Sequence, residues 1–284
     1  MGSELVRIRP AVTTGARPVI VGVLNVTPDS FSDGGAFENV DAAVAHAVEL
    51  RRQGADLIDV GGESTRPGAE RVDTDVEQER IMPVIAALVE RNIPVSVDTM
   101  NSATALAAAK AGVRVINDVS GGLADPEMYR IIAQTGVRYI ASHWRGHSES
   151  MDDLTSYDDV LVEVRDALKA RIAELLVWGV HPEKIVIDPG LGFAKTGAHN
   201  WALLAGLAEL ESLGYPILIG ASRKRFLAPF AADDAPASER DFATAIISAL
   251  AARAGVWGVR VHDVPSTVTA LDVWAAMQGG QGRG

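Results

Sequence analysis

Three short apolar segments of the sequence each end in a side chain that can accept hydrogen bonds. Asp98 ends VSVD, Asn117 lies in VIND, and Asp188 ends VID. A carboxylate beside buried apolar residues loses hydration and is tolerated only with a partner or a ligand that donates hydrogen bonds. Acceptors at the ends of different strands therefore predict a site for a flat polar ring with several N–H groups.

A group of cations lies towards the C-terminal end of the sequence. The segment GASRKRF places Lys224 between two arginines, and the segment RVHD contains Arg260 and His262. Because alternate residues of a strand point to the same side, Arg260 and His262 are expected to face one anion together. For the same reason Arg223 and Arg225 are expected to turn away from Lys224.

Two long polar segments follow the first two apolar runs. NVTPDSFSDGG occupies 25–35, and GGESTRPGA occupies 61–69 with Arg66 near its centre. Connections of roughly 2 to 6 residues suffice between a strand and a helix, so longer ones rich in glycine and proline predict functional loops. We expect ordered but movable loops at the mouth of the site.

Other polar residues in these segments fit structural roles better. Asp118 and Asp263 each follow a candidate site residue, and both are expected to cap helices or bond internally. Structural or solvent roles are also assigned to His143 and to the scattered histidines His46, His147, His181 and His199. No spacing of His, Asp and Glu predicts a dedicated metal cage, so a Mg²⁺ ion would be shared with a substrate phosphate.

Parallel strands with crossover helices would bring these residues together. Short apolar runs alternate with longer amphipathic ones, which is typical of βα units. The candidate strands are 19–24, 56–60, 94–98, 114–117, 138–142, 184–188, 216–220 and 257–261. The candidate helices are 40–52, 75–91, 102–111, 158–178, 200–213, 239–254 and 266–277. Glycine turns such as AGVR at 111–114 and TGVR at 135–138 are expected to cap several helices.

Eight βα units without a break in composition favour an α/β fold of one kind, the closed (β/α)8 or TIM barrel, over a doubly wound open sheet. In such a barrel the chemistry lies in the loops after the strands. Nearly all the clusters of Gly, Asn, Asp, Arg, Lys and His fall there. We expect a single barrel domain over 18–278, preceded by an extension, 1–17, and followed by a flexible tail, 279–284.

Composition argues against several other classes of protein. The 284 residues are 48% hydrophobic and 22% charged, which is enough apolar material for a sizeable core. The net charge of −11 argues against a general nucleic-acid surface. With no cysteine, disulfides and thiolate chemistry are excluded, and the cytoplasm is the expected location. No apolar run predicts a membrane span or a secretory signal.

Seven segments, in this order, closely resemble the dihydropteroate synthase family, the folate-pathway enzymes that sulfonamides target. They are NVTPDSFSDGG, GGESTRPGA, VSVDT, NDVSGG, DPGLGFAK, GASRKRF and RVHDV. The resemblance extends from about Val19 to about Met277. It implies a (β/α)8 barrel that joins 4-aminobenzoate to (7,8-dihydropterin-6-yl)methyl diphosphate and releases 7,8-dihydropteroate and diphosphate.

The resemblance also implies roles for individual residues. Asn25 would bind Mg²⁺, the implied cofactor, beside the diphosphate. The pterin diphosphate would contact Thr65, Asp98, Asn117, Asp188, Lys224, Arg260 and His262, with help from Arg66. The aminobenzoate would lie among Thr65, Pro67, Phe193 and Ser222. Catalysis would depend on Asp98, Lys224, Arg260 and His262, which hold the pterin, stabilise positive charge on its methylene or neutralise the leaving diphosphate.

One position departs from the family pattern, and two other functions stay open. Ser142 stands where many relatives have Met, which puts the affinity for pterin in doubt. A pterin-dependent methyltransferase of the methyltetrahydrofolate and corrinoid type shares this barrel, but it has no use for the SRK and RVHD cations. A catalytically silent pterin-binding paralogue would usually have altered catalytic loops, and here those segments are intact.

The resemblance further implies a homodimer. The late helices, 239–254 and 266–277, are rich in Ala, Ile, Leu and Val, and they could present an apolar face to a second copy. Ordinary packing against the barrel explains the same composition equally well.

Overall fold

Each of the eight apolar runs forms a strand, and the strands close into a parallel barrel. The computed structural model describes residues 17–27, 36–63, 71–147 and 151–281. The strands are β1 (Val19–Asn25), β2 (Leu57–Gly61), β3 (Val95–Asp98), β4 (Val115–Asp118), β5 (Arg138–Ser142), β6 (Ile185–Asp188), β7 (Leu218–Ile219) and β8 (Gly258–Val261). Consecutive strands are neighbours, β8 pairs with β1, and a bridge from Ile187 to Ile217 joins β6 to β7. The predicted closed barrel is confirmed, and an open sheet is excluded.

Helices lie between the strands, with bounds close to those predicted. They are α1 (Ala36–Arg52), α2 (Thr74–Glu90), α3 (Ser102–Ala111), α4 (Met128–Thr135), α5 (Val160–Val177), α6 (Gly197–Ala205), α7 (Leu207–Glu211), α8 (Asp241–Arg253) and α9 (Val264–Gln281). Among the described residues, no helix is long and apolar enough to cross a membrane. The predicted glycine turns are confirmed, since Gly112 and Gly136 are left-handed C-caps of α3 and α4.

The helices differ from the sequence prediction in three places. Helix α4, of eight residues, is not among the predicted helices, although it is amphipathic and buries Met128 and Ile132. The helix predicted over 200–213 is two helices, because the backbone at Gly206 leaves the helical conformation; a Cβ there would lie 2.4 Å from Leu161. Helix α9 continues to Gln281 and so includes the first three residues of the predicted tail.

Alternate strand residues fill the barrel interior in two layers. The lower layer is an apolar cluster of Val21, Leu57, Val115, Ile140, Val186 and Leu218. Two residues further along four of the same strands, the interior positions hold Asp59, Asn117, Ser142 and Asp188. The intervening residues face outward and pack against the helices in the larger core. Because every second strand residue points inward, the same alternation fills the base of the barrel with apolar side chains and brings polar ones to its mouth.

Candidate active site

Arg260 lies at the mouth of the barrel between two buried carboxylates. Its Nε donates to Oδ2 of Asp59 at 2.6 Å, and its Nη2 donates to Oδ2 of Asp98 at 2.8 Å. Asp59 is fully buried and also accepts from Oγ of Ser96 and, at 3.0 Å, from Nδ2 of Asn117. Burial acts to lower the pKa of Arg260, but the two carboxylates outweigh it and the net direction is upward. The guanidinium is therefore a fixed, permanent positive charge.

Asp98 is the carboxylate of this network closest to the rim. The strand register pairs it with Gly61 on β2 and with Asn117 on β4. Burial raises the pKa of Asp98 to about 7; Arg260 opposes this shift, and the charge of Asp59 adds to it. This carboxyl can therefore change its charge close to neutral pH.

Asp188 and Lys224 form the second polar pair of the mouth. Oδ1 of Asp188 accepts from the backbone N–H of Gly190 at 2.7 Å. A Cβ placed on Gly220 would lie 3.7 Å from Oδ2 of Asp188 and 3.9 Å from Nζ of Lys224. Burial raises the pKa of Asp188 and lowers that of Lys224 to about 8, and the opposite charge of each partner counteracts these shifts. The glycine thus leaves an acceptor and a donor facing one space.

The loop between β6 and α6 packs against Lys224. Nζ of Lys224 donates to the carbonyl of Leu191 and lies 4.4 Å from the centre of the Phe193 ring. A Cβ on Gly192 would lie 2.8 Å from Cδ of Lys224. A Cβ on Gly190 would lie 2.2 Å from the backbone oxygen of the residue that follows β5. Both glycines also have a positive φ. The lack of space for a Cβ and the backbone conformation together explain why glycine occupies both positions of the GLG segment.

Ser222 and His262 are joined by hydrogen bonds. Oγ of Ser222 lies 2.8 Å from Nδ1 of His262 and accepts from the backbone N–H of His262 at 3.1 Å. The serine, predicted to lie beside the aminobenzoate, therefore orients the histidine ring as well. Arg223 turns away from Lys224, as predicted, and donates to both carboxylate oxygens of Asp241 at 2.8 and 2.7 Å.

Three of the residues assigned structural roles make structural contacts. Asp118 faces outward, accepts two backbone N–H groups of its own turn, and binds the hydroxyl of Tyr139 at 2.6 Å. Oδ1 of Asp263 accepts a long hydrogen bond, 3.4 Å, from a backbone N–H at the start of α9. His199 completes a capping box with Thr196 at the start of α6. These contacts agree with the structural roles predicted for the three residues.

Sequence reasoning missed two buried groups near the site, Asp59 and Lys195. Asp59 lies two residues after Leu57, so its interior position could have been found from the period of two. Lys195 is 8% exposed, and its Nζ contacts the ring of His143 on the neighbouring strand's loop. No local spacing in the sequence indicates that contact.

The first loop contributes one described candidate, Asn25. It is the last residue of β1, half-buried, and its register partner is Gly61 on β2. The described part of the chain contains no group of three or more His, Cys, Asp or Glu that could hold a metal. A single amide oxygen beside a diphosphate still fits Mg²⁺, which keeps waters and binds substrate phosphates with few protein ligands. Three predicted site residues lie outside the described residues: Thr65, Arg66 and Pro67.

The fold and the site define a class of protein. A closed (β/α)8 barrel has its chemistry at the carboxyl ends of the strands, and here that face holds buried acceptors, a half-buried arginine and a half-buried lysine. Such a mouth suits an enzyme that binds a polar ring beside an anion.

Comparison with known proteins narrows this class. The family model described as pterin binding enzyme matches residues 21–262. The dihydropteroate synthase of Mycobacterium leprae is 53% identical over 262 residues, covering 90% of this chain and 92% of the relative. The Xanthomonas albilineans dihydropteroate synthase, solved with 4-aminobenzoic acid, has a TM-score of 0.86 and 43% identity over 92% of this chain and 93% of that one. The Yersinia pestis enzyme, solved with a sulfonamide drug, has a TM-score of 0.86 and 38% identity over 93% and 95%.

The chain belongs to the dihydropteroate synthases, the pterin-binding transferases of the folate pathway.

Proposed function

We propose that the barrel mouth joins 4-aminobenzoate to (7,8-dihydropterin-6-yl)methyl diphosphate and releases 7,8-dihydropteroate and diphosphate. The observation that supports this most is the pair of groups beside Gly220, an acceptor on Asp188 and a donor on Lys224, next to Arg260. A pterin presents a matching edge, with N–H donors at its amidine-like end and a carbonyl beside them.

The pterin ring would lie between β4, β6 and the loop after β7. Asp188 and Asn117 accept from its N–H groups, while Lys224 donates to its carbonyl and ring nitrogen. Asn117 gives an amide N–H to Asp59 at 3.0 Å, so its amide oxygen is the atom left to accept from a ligand. Ser142, 3% exposed on β5, would lie at the floor of this pocket in place of the larger Met of many relatives.

The bond that breaks joins the pterin methylene to a diphosphate oxygen. The amine nitrogen of 4-aminobenzoate forms the new bond to that carbon, diphosphate leaves with the electron pair, and the amine loses a proton to solvent. Asp98 stabilises positive charge on the methylene, and Arg260 and His262 bind the departing diphosphate. Asn25 would hold Mg²⁺, which supplies further charge neutralisation at the diphosphate.

The aminobenzoate would lie against Phe193, with Ser222 beside it and with Thr65, Arg66 and Pro67 contributed by the second loop. The sulfonamide bound by the Yersinia pestis relative supports a further proposal, that sulfonamides compete with 4-aminobenzoate in this chain.

A coupled assay for diphosphate tests the proposed function. With both substrates and Mg²⁺, the chain is expected to release diphosphate and form 7,8-dihydropteroate, and a sulfonamide should raise the KM for 4-aminobenzoate. A methyltransferase or a silent pterin-binding paralogue would release none. Absence of diphosphate from a folded, pterin-binding preparation would therefore refute the proposal.

Removal of Mg²⁺ is expected to stop diphosphate release. Asn25→Ala should need a higher Mg²⁺ concentration for half-maximal rate, because the protein then contributes no amide oxygen to the ion. The measurement is a Mg²⁺ titration of the initial rate for parent and variant after chelation. Gln134→Ala, which removes an exposed amide near the C-terminal end of α4, serves as the control. Equal Mg²⁺ requirements in all three proteins would remove Asn25 from the metal site.

We also propose that the chain forms a homodimer through α8 and α9. Phe242, Ile246 and Leu250 repeat every fourth residue on α8 and are 75%, 47% and 60% exposed. Val273 and Met277 on α9 are 59% and 64% exposed, and the two helices pack against each other. An exposed apolar stripe of this kind is typical of a protein interface.

Phe242→Asp is expected to convert the dimer to a monomer, because it buries a charge in the interface. Sedimentation equilibrium over a range of protein concentrations measures the change. Val177→Asp is the matched control, since Val177 is 87% exposed but lies on α5. A parent that sediments as a monomer, or a Phe242→Asp variant that stays dimeric, would contradict the proposed interface.

A further inference from the structure

Lys195 is a buried lysine that the proposed mechanism does not use. Its Nζ lies 3.0 Å from Nδ1 of His143 and donates to the carbonyls of Gly190 and Phe193, both at 2.9 Å. These contacts meet at one amine, whose pKa burial lowers well below its usual value. In either charge state the amine keeps at least two N–H donors for the two carbonyls. Burial lowers the pKa of His143 to about 2, so the ring is neutral and its Nδ1 can accept from Lys195.

The loop bound by Lys195 contains one side chain proposed to contact the aminobenzoate, and it packs against another proposed to contact the pterin. The Phe193 ring lies 4.4 Å from Nζ of Lys224, and the carbonyl of Leu191 accepts a hydrogen bond from the same Nζ. The backbone directly after Phe193 is strained, because Ala194 has a φ of 49°, a value that residues with a side chain rarely adopt. Such a conformation persists only where the surrounding contacts impose it.

Lys195 is the side chain placed to impose this conformation. Its bonds join Gly190 and Phe193, at the two ends of the turn, and connect both to His143 after β5. Asn200 holds the middle of the turn by accepting from the N–H of Gly192 at 2.7 Å. Without this amine, the carbonyl of Phe193 would lose the donor on Lys195, and that of Gly190 would keep only the backbone N–H of Phe193 at 3.1 Å.

We propose that Lys195 is a positioning residue: it fixes the loop after β6 and thereby sets Phe193 for the aminobenzoate and Lys224 for the pterin. This inference rests on the proposed function, which supplies the substrates that Phe193 and Lys224 are expected to contact. The arrangement of the loop itself does not depend on that function, so it can be tested separately.

Lys195→Met keeps an unbranched side chain one atom shorter than that of lysine and removes its donors. Labelling the six phenylalanines with 4-fluorophenylalanine and assigning one ¹⁹F signal through Phe193→Leu gives a local reporter. The Phe193 signal is expected to shift or broaden in Lys195→Met, while the signal of Phe242 on α8 stays in place. The kcat/KM for 4-aminobenzoate should fall on the order of 10²-fold, with part of the loss in KM.

Leu168→Ala is the control for a merely structural effect. Leu168 is fully buried on α5, so this variant loses stability without touching the loop. Assayed well below its Tm, it should keep the parent's Phe193 signal and KM. If Lys195→Met leaves the Phe193 signal and the KM for 4-aminobenzoate unchanged, the inference is wrong.

A chemical rescue covers the case in which Lys195→Met fails to fold. The chain has no cysteine, so in Lys195→Cys an alkylating reagent finds a single thiol. Alkylation under denaturant with 2-bromoethylamine restores an ammonium at lysine length, and 1-bromopropane adds an apolar chain of the same length. After refolding, the amine is expected to recover the Phe193 signal and activity, and the propyl group is not. Equal recovery with both reagents would overturn the inference, whereas an inactive parent would refute only the proposed function.

Discussion

Asp98→Asn is expected to lower the turnover of diphosphate release about 10²- to 10³-fold without unfolding the protein. The amide has the shape of the carboxylate but cannot supply the negative charge that stabilises the pterin methylene as its bond to diphosphate breaks. Arg260 keeps its second carboxylate, since its Nε donates to Asp59 at 2.6 Å. Steady-state rates at saturating substrate and the Tm of both proteins measure the two parts of this prediction.

The pH dependence of Asp98 gives the same prediction a second measurement. Burial raises the pKa of this carboxyl to about 7, so kcat/KM of the parent should rise with pH through about 7 as the carboxylate forms. In Asp98→Asn this rise of kcat/KM with pH should be absent. If kcat/KM of the variant rises with pH as in the parent, the titrating group is not Asp98.

The free energy of unfolding should also depend on the titration of Asp98, but it should fall with pH where kcat/KM rises. The pKa of Asp98 is raised in the folded state above its ordinary value of 3.8, so between these pH values the folded state holds a proton that the unfolded state has lost. The contribution of Asp98 to the free energy of unfolding is therefore full below pH 3.8 and falls as pH rises to about 7. Asp98→Asn removes this slope, and at pH 8 the variant should be no less stable than the parent. Asp166→Asn, an exposed carboxylate on α5 paired with Arg165, is the control that should change neither measurement.

The period of two along the strands explains why the main acceptors could be predicted from the sequence. Asp98, Asn117 and Asp188 end apolar runs, and each occupies an interior position above the apolar base of the barrel. Asp118 could be separated from them because it is the next residue along β4 and must face outward. Their roles toward substrate stay predictions.

Partners distant in sequence could not be predicted from local pattern. Alternation gives the side to which Arg260 points, but its closest partner, Asp59, lies 201 positions away. Lys195 meets His143 only because β5 and β6 are neighbours and the GLG turn folds back between them. The break at Gly206 was missed for a related reason, because it depends on Leu161 of α5, which packs against this position.

Arg260→Ala is expected to lose turnover on the order of 10³-fold and to destabilise the fold as well. Two effects combine, since the variant lacks the cation proposed to bind diphosphate and leaves the carboxylates of Asp59 and Asp98 close together without their shared partner. Breaking a buried ion pair by removing one member costs about 3–5 kcal/mol. Turnover alone would therefore not separate the catalytic role of Arg260 from its structural one.

The double variant Asp59→Asn with Arg260→Ala separates them. Neutralising Asp59 removes one of the two unpaired buried charges, and the amide can still accept from Asn117 and donate to Ser96. Urea unfolding is expected to show the double variant more stable than Arg260→Ala, while diphosphate release stays at the level of the single variant. Recovery of turnover together with stability would mean that Arg260 serves only to hold the barrel mouth together, and the neutralisation of the leaving diphosphate would then have to come from other cations such as His262.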